Sequence, residues 1–204
     1  MTSPPLRVVK LGGSLFDWPG WVAPFRRWLA AQPPAVNVLV VGGGAIVDRL
    51  RALDRVQAMS AETAHWLAVR AMSLTAAIAA ELVSEATLVD SLEQLHLSAT
   101  SVPQILDVER FLRDEQGAAG ALPCNWDVTS DSIAARVATA LHAGELVLLK
   151  SALPAGPATR EAIAQCEYVD AYFARAARRL PVRFVNLRDA GFAEVAFDGE
   201  QAGC

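Results

Sequence analysis

The chain has 204 residues, of which 53% are hydrophobic, and a formal net charge of -4. These values indicate one globular domain with a sizeable core, and they exclude a disordered chain or a protein that coats nucleic acid. The longest apolar runs have strand length, far short of the about 20 residues that cross a bilayer, and no signal peptide is expected. Cys124, Cys166 and Cys204 are odd in number without metal-ligand spacing. We therefore expect a reduced, cytoplasmic protein with no structural metal site.

Short apolar strands alternate with helical segments through the first part of the chain. The expected strands are 6–10, 36–41, 87–90 and 102–106. The expected helices are 21–31, 45–57, 60–84, 91–97 and 108–116, and Ser60 is a suitable N-cap for the third. Such alternation predicts an α/β fold with a mainly parallel sheet and right-handed crossovers.

The alanine-glycine segment 117–123 is the expected boundary between two lobes of this single domain. Beyond it we expect a helix that starts near Ser130, a strand at 146–150, a helix over 168–180 and two strands at 182–187 and 193–197. No internal repeat is visible. Since 204 residues leave little room for two independent domains, we expect the second part to be another lobe around the same sheet.

The two lysines of the chain stand at the ends of two expected strands. Of the 18 basic residues 16 are arginines, and Lys10 and Lys150 are the others. The carboxyl ends of parallel strands are where α/β sheets bind their ligands. A single lysine there can simply extend its ammonium group to solvent. The occurrence of both at such ends favours a functional role.

Two glycine loops, "VVKLGGSL" and "VLVVGGGAIVDRL", run directly from expected strands. Glycine allows a ligand to approach closely and lets several N–H groups point at one anion, and a helix N-terminus after the second loop adds a favourable dipole. Either loop alone can be a tight turn, since neither matches the dinucleotide or P-loop pattern. The two loops together predict phosphate binding by Gly12, Gly13, Ser14, Gly42, Gly43 and Gly44.

An acidic pair lies around the expected start of the helix near Ser130. Asp127 and Asp131 are four residues apart in "NWDVTSDS". Ser130 or Thr129 can cap the helix, and a purely structural interpretation needs no more. Carboxylates at this position can also hold Mg²⁺ that is bound to phosphates, or orient lysines that contact those phosphates.

In this order, "VVKLGGSL", "VLVVGGGAIVDRLR", "TSDSIAARVATAL" and "LVLLK" resemble the amino acid kinase family, and the resemblance covers nearly the whole chain. Within that family, "SAETAHWLAVRAM" and "WDVTSDSIAA" are most similar to the small kinases of methanofuran biosynthesis. The resemblance implies a three-layer α/β/α sandwich. It also implies an acceptor lobe at about 1–120 and a nucleotide lobe at about 121–204 of one domain.

The resemblance implies an ATP-dependent kinase that uses Mg²⁺ and adds a second phosphate to [5-(aminomethyl)furan-3-yl]methyl phosphate. Lys10 would neutralise charge on the transferring phosphoryl group. Asp131 would orient the phosphate-binding lysine, and Asp127 would assist with Mg²⁺. The residues that would contact donor and acceptor phosphates are Gly12, Gly13, Ser14, Gly42, Gly43, Gly44, Ser130 and Lys150.

The chain departs from the family in one respect, because many members carry a further lysine on a later loop of the nucleotide lobe. Lys150 could replace that charge from an earlier strand end, or an arginine such as Arg160 could. His65 would bind the acceptor phosphate if its helix lines the pocket, although a lone histidine on such a helix is more often structural. Family members are often oligomers, so the alanine-rich helix 60–84 is an expected subunit interface.

Two other functions stay open. A kinase of the same fold could act on a carboxylate and make an acyl phosphate, and an arginine-rich pocket would favour it. A storage or regulatory protein could bind nucleotide without turnover, although the intact set of Lys10, Gly12, Gly13 and Asp131 argues against this class.

Overall fold

A single sheet of seven strands organises the part of the chain that this computed structural model describes, residues 4–98, 102–154, 163 and 165–199. The strands are β1 (Leu6–Leu11), β2 (Val36–Val41), β3 (Thr87–Val89), β4 (Gln104–Leu106), β5 (Glu145–Lys150), β6 (Val182–Asn186) and β7 (Glu194–Phe197). They lie side by side in the order β3-β4-β2-β1-β5-β6-β7, and all neighbours are parallel except β6 and β7. The predicted α/β fold with a mainly parallel sheet is confirmed.

Helices connect the strands and cover the sheet. Those described are α1 (Val22–Ala30), α2 (Gly44–Gln57), α3 (Ala61–Leu82), α4 (Val108–Asp114), α5 (Ser130–Ala140) and α6 (Phe173–Ala176), with 3-10 turns at Gly13–Leu15 and Leu92–Gln94. Ser60 caps α3 as predicted, because its Oγ accepts a hydrogen bond of 3.1 Å from the Thr63 N–H. None of the helices in the described ranges is long and apolar enough to cross a membrane.

Alternate side chains of the central strands enter two hydrophobic cores, one on each face of the sheet. Val8 belongs to the core that includes Ile133 of α5, whereas its neighbour Val9 belongs to the core that includes Trp28 of α1. Strands that are covered on both faces read as continuous apolar runs, as β1, β2 and β5 do. Each large buried side chain contributes about 1.5–3 kcal/mol. The ends of these central strands are therefore held firmly in place.

Two predicted helices are wrong in extent or type. The segment 91–97 forms a 3-10 turn at Leu92–Gln94, and the side chain of Gln104 then hydrogen bonds both backbone groups of His96, the N–H at 2.7 Å and the carbonyl at 3.2 Å. These contacts take the backbone groups that a continuing helix would use. The segment 168–180 is helical only at Phe173–Ala176 among the residues described. Its first residues contact the site described next instead.

Candidate active site

Asp131 lies between the two lysines at the carboxyl ends of neighbouring parallel strands. Lys10 is on β1 and Lys150 ends β5, so both ammonium groups reach the same edge of the sheet. The Lys10 Nζ atom is 2.8 Å from Asp131 Oδ1, and the Lys150 Nζ atom is 2.7 Å from Asp131 Oδ2. The side chains of Lys10, Asp131 and Lys150 are 6%, 6% and 15% exposed. One buried carboxylate thus holds two ammonium groups.

The charges of this trio are strongly coupled. Burial alone would raise the pKa of Asp131, but the adjacent ammonium groups of Lys10 and Lys150 outweigh it and lower the pKa to about 2. Burial lowers the pKa of Lys150; the Asp131 carboxylate opposes this shift and the Lys10 charge adds to it. Asp131 is therefore fully ionised at neutral pH and keeps both lysines in position.

The segment around Tyr168 holds Lys150 from the other side. The Lys150 ammonium donates a hydrogen bond of 2.7 Å to the Tyr168 carbonyl and lies 4.7 Å from the centre of its ring. Burial and the nearby Asp131 charge raise the pKa of the Tyr168 hydroxyl, which donates to the Ala152 carbonyl at 2.7 Å. Lys150 is therefore held by the backbone and the ring of Tyr168 as well as by Asp131.

Thr129 occupies the N-cap position of the helix that carries Asp131, but its side chain makes no capping hydrogen bond, and that role falls to Asp170. Its carboxylate accepts hydrogen bonds from Thr129 N at 3.0 Å, Thr129 Oγ1 at 2.8 Å and Ser132 N at 3.0 Å, and also from Ser132 Oγ. Burial and the charge of Asp131 raise the pKa of Asp170, and these hydrogen bonds oppose the shift. The sequence carried no signal for this residue, because a cap from about 40 positions away leaves no local pattern.

The two glycine loops face each other with no room for side chains between them. A Cβ atom on Gly13 would lie 2.2 Å from the Gly44 nitrogen, and Gly44 has a φ of +53°. A Cβ atom on Gly42 would lie 2.9 Å from Ser130 Oγ, so the second loop also touches the start of α5. Gly12 is required for a different reason, since its Cβ would lie 2.8 Å from the Leu149 carbonyl of β5. Close backbone packing therefore explains why several of these positions are glycine. It also brings both loops together beside the start of α5.

A cleft of about 220 Å³, the first cleft, opens beside these loops. Of the predicted site residues, those that line it are Gly13, Ser14, Gly43, Gly44, His65 and Ser130. Ser14 also lies close to Ser151, with 3.4 Å between the hydroxyl oxygens. The predicted site residues that do not line the first cleft are Lys10, Gly12, Gly42, Asp127, Asp131 and Lys150. The loops thus form the wall of the first cleft, and the lysine-carboxylate trio lies behind it.

A larger cleft of about 640 Å³, the second cleft, adjoins the first. Asp127 and Asp131 line it, together with the segment from Glu167 to Ala171. Asp127 is exposed, and its carboxylate accepts a hydrogen bond of 3.1 Å from the Asn125 side chain. Arg51, Trp126 and Thr129 line both clefts. Arg51 and Trp126 were not among the predicted site residues.

His65 is buried in the wall of the first cleft. Its relative exposure is 5%, and its ring lies edge-on to Trp66 with 5.3 Å between centroids. Burial lowers the pKa of His65, and a hydrogen bond to the Asn125 backbone opposes the shift. The imidazole is therefore mainly neutral at pH 7 in the form of the protein described.

Comparison with models of known protein families gives a match. The model of the amino acid kinase family matches residues 5–152. The chain belongs to the amino acid kinase family. Membership indicates a phosphotransferase, and it confirms the family that the ordered motifs resemble. No curated protein sequence matches the chain.

Solved kinases share the fold. UMP kinase from Bacillus anthracis matches with a TM-score of 0.62 at 13% identity, over 93% of this chain and 90% of that one. Uridylate kinase from Archaeoglobus fulgidus matches with a TM-score of 0.59 at 16% identity, over 87% of this chain and 88% of that one. Aspartate kinase from Synechocystis matches with a TM-score of 0.62 at 16% identity, over 97% of this chain but 40% of that one. At such identities the likeness shows the fold alone.

Proposed function

We propose that this chain is an ATP-dependent kinase that phosphorylates [5-(aminomethyl)furan-3-yl]methyl phosphate, in the biosynthesis of a methanofuran-type cofactor. The observation that carries the proposal is the pair of ammonium groups, from Lys10 and Lys150, on the two oxygens of Asp131 beside facing glycine loops. Phosphoryl transfer depends mainly on positive charge and alignment, which such a site can supply. Membership of the amino acid kinase family supports this chemistry.

The proposed reaction exchanges one bond to phosphorus for another. The bond between the γ-phosphorus and the oxygen that bridges to the β-phosphate breaks, and that oxygen keeps the electron pair as ADP leaves. An oxygen of the acceptor phosphate forms the new bond, and the product is a diphosphate. Since a phosphate monoester is largely ionised near pH 7, the acceptor needs no strong general base. Lys10 neutralises charge on the transferring group, and Asp131 positions both lysines.

The glycine loops fit phosphate groups of both the donor and the acceptor. The loops leave no space for a Cβ at Gly13, and two helices, α2 and α5, begin beside them, so backbone N–H groups and helix dipoles favour an anion there. The phosphate-contacting set is Gly12, Gly13, Ser14, Gly42, Gly43, Gly44 and Ser130. Lys150 supplies the second cation in place of the family's later lysine; Arg160, the other residue considered for that role, lies outside the described residues.

Mg²⁺ in kinases is held mainly by phosphates and water, with one or two carboxylates. Within the described ranges, no cluster of three or more His, Cys, Asp or Glu side chains is arranged to hold a metal ion. Both Asp131 oxygens are paired with lysines, so we assign Asp127, at the second cleft, as the assisting carboxylate. When bound, Mg²⁺ neutralises charge on the β- and γ-phosphates.

We place the acceptor in the first cleft, where His65 contacts it, and the nucleotide in the second. The volume of about 220 Å³ suits a compound of one small ring and its phosphate better than a nucleotide. This assignment corresponds to an acceptor lobe at about 1–120 and a nucleotide lobe at about 121–204 of a single domain. A cytoplasmic location is part of the proposal.

We also propose that the chain is a homo-oligomer. Apolar side chains of α2 and α3 are exposed, among them Leu53, Val56 and Leu74, and a groove of about 780 Å³ runs between the two helices. Exposed apolar patches of this kind usually mark interaction sites. Light scattering of the purified protein would give the mass, and a monomer at all concentrations would refute this part of the proposal.

The test is ADP formation with Mg²⁺ and ATP, measured against the furan phosphate, isopentenyl phosphate, UMP, acetylglutamate and aspartate. We expect turnover of the furan phosphate and slower turnover of the others by at least about 100-fold, because that acceptor must fill a small cleft. Turnover of a carboxylate acceptor instead would establish an acyl phosphate kinase. Tight ATP binding without turnover of any acceptor would establish a storage or regulatory protein.

A further inference from the structure

Arg51 occupies the junction of the two clefts. It lines both of them, together with Trp126 and Thr129. Val47, Asp48 and Arg51 line the first cleft from one face of α2, because residues three and four apart share a helix face. Arg51 is half-buried on this face. Its guanidinium group therefore stands where a group in the first cleft can meet a group in the second.

Two contacts orient the Arg51 side chain. Its guanidinium carbon lies 4.7 Å from the centre of the Trp126 ring, which is a favourable stacking distance. The Trp126 indole N–H in turn donates a hydrogen bond of 2.7 Å to Asp54 Oδ2, and the other Asp54 oxygen accepts from Met59 N at 2.9 Å. The indole is thus tied to the end of α2, on the same helix as Arg51.

The N–H donors of Arg51 are unused by the described part of the protein. No described carboxylate or carbonyl accepts a hydrogen bond from this guanidinium group or forms an ion pair with it. Asp54, three residues further along α2, already accepts hydrogen bonds from Trp126 and Met59. A planar guanidinium with open donors matches two oxygens of one phosphate. The stacked guanidinium group therefore has donors available for an anion.

Arg51 is also the one permanent cation among the residues that line the first cleft. His65 is the other basic residue there, and burial keeps it mainly neutral. Asp48 lines the same cleft, but it is exposed and its carboxylate stays in water. Lys10 and Lys150 do not line this cleft and are paired with Asp131.

We infer that Arg51 binds the phosphate of the acceptor and holds it at the junction of the two clefts. The inference rests on the proposed function and adds to it the residue that recognises the acceptor anion. His65 then contacts the acceptor without carrying the charge. Because Arg51 also lines the second cleft, a phosphate that it binds can present one oxygen to the proposed nucleotide site.

The test is binding of inorganic orthophosphate to the full chain, followed by calorimetry and independent of turnover. Arg51→Met should weaken binding by about 10- to 100-fold, the usual effect of losing hydrogen bonds to a charged group. Arg51→Lys should give an intermediate loss, because it keeps the charge but not the planar pair of donors. Arg49→Met is the matched control, since Arg49 is exposed on the same helix and lines the groove between α2 and α3; it should bind phosphate like the parent.

The same variants are then compared in turnover of the furan phosphate and in phosphate binding with a non-hydrolysable ATP analogue present. The KM for the acceptor should rise in Arg51→Met by the same factor as the phosphate Kd, and the KM for ATP should stay within about threefold. Unchanged phosphate affinity in Arg51→Met, or an effect that disappears with the analogue bound, would overturn the assignment of Arg51. Loss of phosphate binding in that variant, while the parent turns over no phosphorylated acceptor, would keep Arg51 as an anion site and overturn the proposed function instead.

Discussion

Ionic clusters lie at both ends of β1 and β5, and their partners differ. At the amino ends, Arg7 of β1 and Arg183 of β6 share the carboxylate of Glu145, and Arg183 also pairs with Glu194 at 3.1 Å. At the carboxyl ends, Lys10 and Lys150 share Asp131 alone. Two cations meet two carboxylates at one end, and two cations meet one carboxylate at the other.

The first cluster directs its donors into the protein. Arg7 also donates to Asn37 Oδ1 at 3.1 Å, and Arg183 also donates to Gln32 Oε1 at 2.8 Å. In the second cluster, Asp131 is the one described partner of Lys10, although an ammonium group has three donors. We therefore expect the first cluster to act in stability, whereas the second keeps donors that the proposed function assigns to phosphate. The comparison can be tested by variants at each end.

The largest effect is expected for Asp131→Asn. The change leaves two buried ammonium groups without their counter-charge, so it should lower the free energy of unfolding by about 3 kcal/mol and kcat by at least about 10³-fold. Urea unfolding and initial-rate assays of the same preparation measure both. A stable variant with parental kcat would show that the trio has no role in catalysis.

Lys10→Met should affect activity far more than stability. Methionine fills the space of the lysine stem, and Asp131 keeps Lys150 at 2.7 Å, so unfolding should change by about 1 kcal/mol or less. Loss of a charge aimed at the transferring group should lower kcat by about 10²–10³-fold. Steady-state kinetics measure kcat, and thermal melts of the same variant check that it folds. Activity equal to the parent would exclude the role assigned to Lys10.

Much of this arrangement could be predicted from the sequence, because it depends on strand ends. Apolar runs that end in Lys10 and Lys150 imply two strands, and parallel strands bring such ends to one edge of a sheet. Glycines next to them imply close backbone approach, which the contact of Gly13 with Gly44 bears out. The helix with Asp131 follows from its local pattern of cap and helix formers. Each of these signals is local.

The residues that sequence reasoning missed act over long separations or through packing. Asp170 caps α5 from about 40 positions away, and Gln104 binds the backbone of His96 where a helix was expected. Arg51 belongs to no motif of the sequence, and its packing against Trp126 is what distinguishes it from the other arginines of α2. Tertiary contacts determine the roles of these residues, and neither periodicity nor a sequence motif predicts such contacts.

Acid should weaken the protein through Asp131. Its pKa is about 2 in the folded chain against an ordinary value of 3.8. A lowered folded pKa means that ionised Asp131 stabilises the fold above about pH 4, and that this contribution, about 2 kcal/mol, disappears as pH falls through 2. Unfolding free energies of the parent and Asp131→Asn, compared between pH 5 and pH 2, isolate it. The gap between the two proteins should narrow toward low pH, and a constant gap would contradict the assigned pKa.

Glu145→Gln is the counterpart at the other end of the strands, and its effect should be confined to stability. The amide keeps one acceptor for Arg7 or Arg183 but removes the charge that both share. Because Glu145 is 29% exposed, solvent screens part of the loss, and we expect about 1–2 kcal/mol. The kcat should stay within about twofold of the parent, since the residue lies at the amino end of β5, away from Lys150. A large fall in kcat with little change in unfolding would mean that the two ends of these strands are coupled, and the division between a structural and a catalytic cluster would then fail.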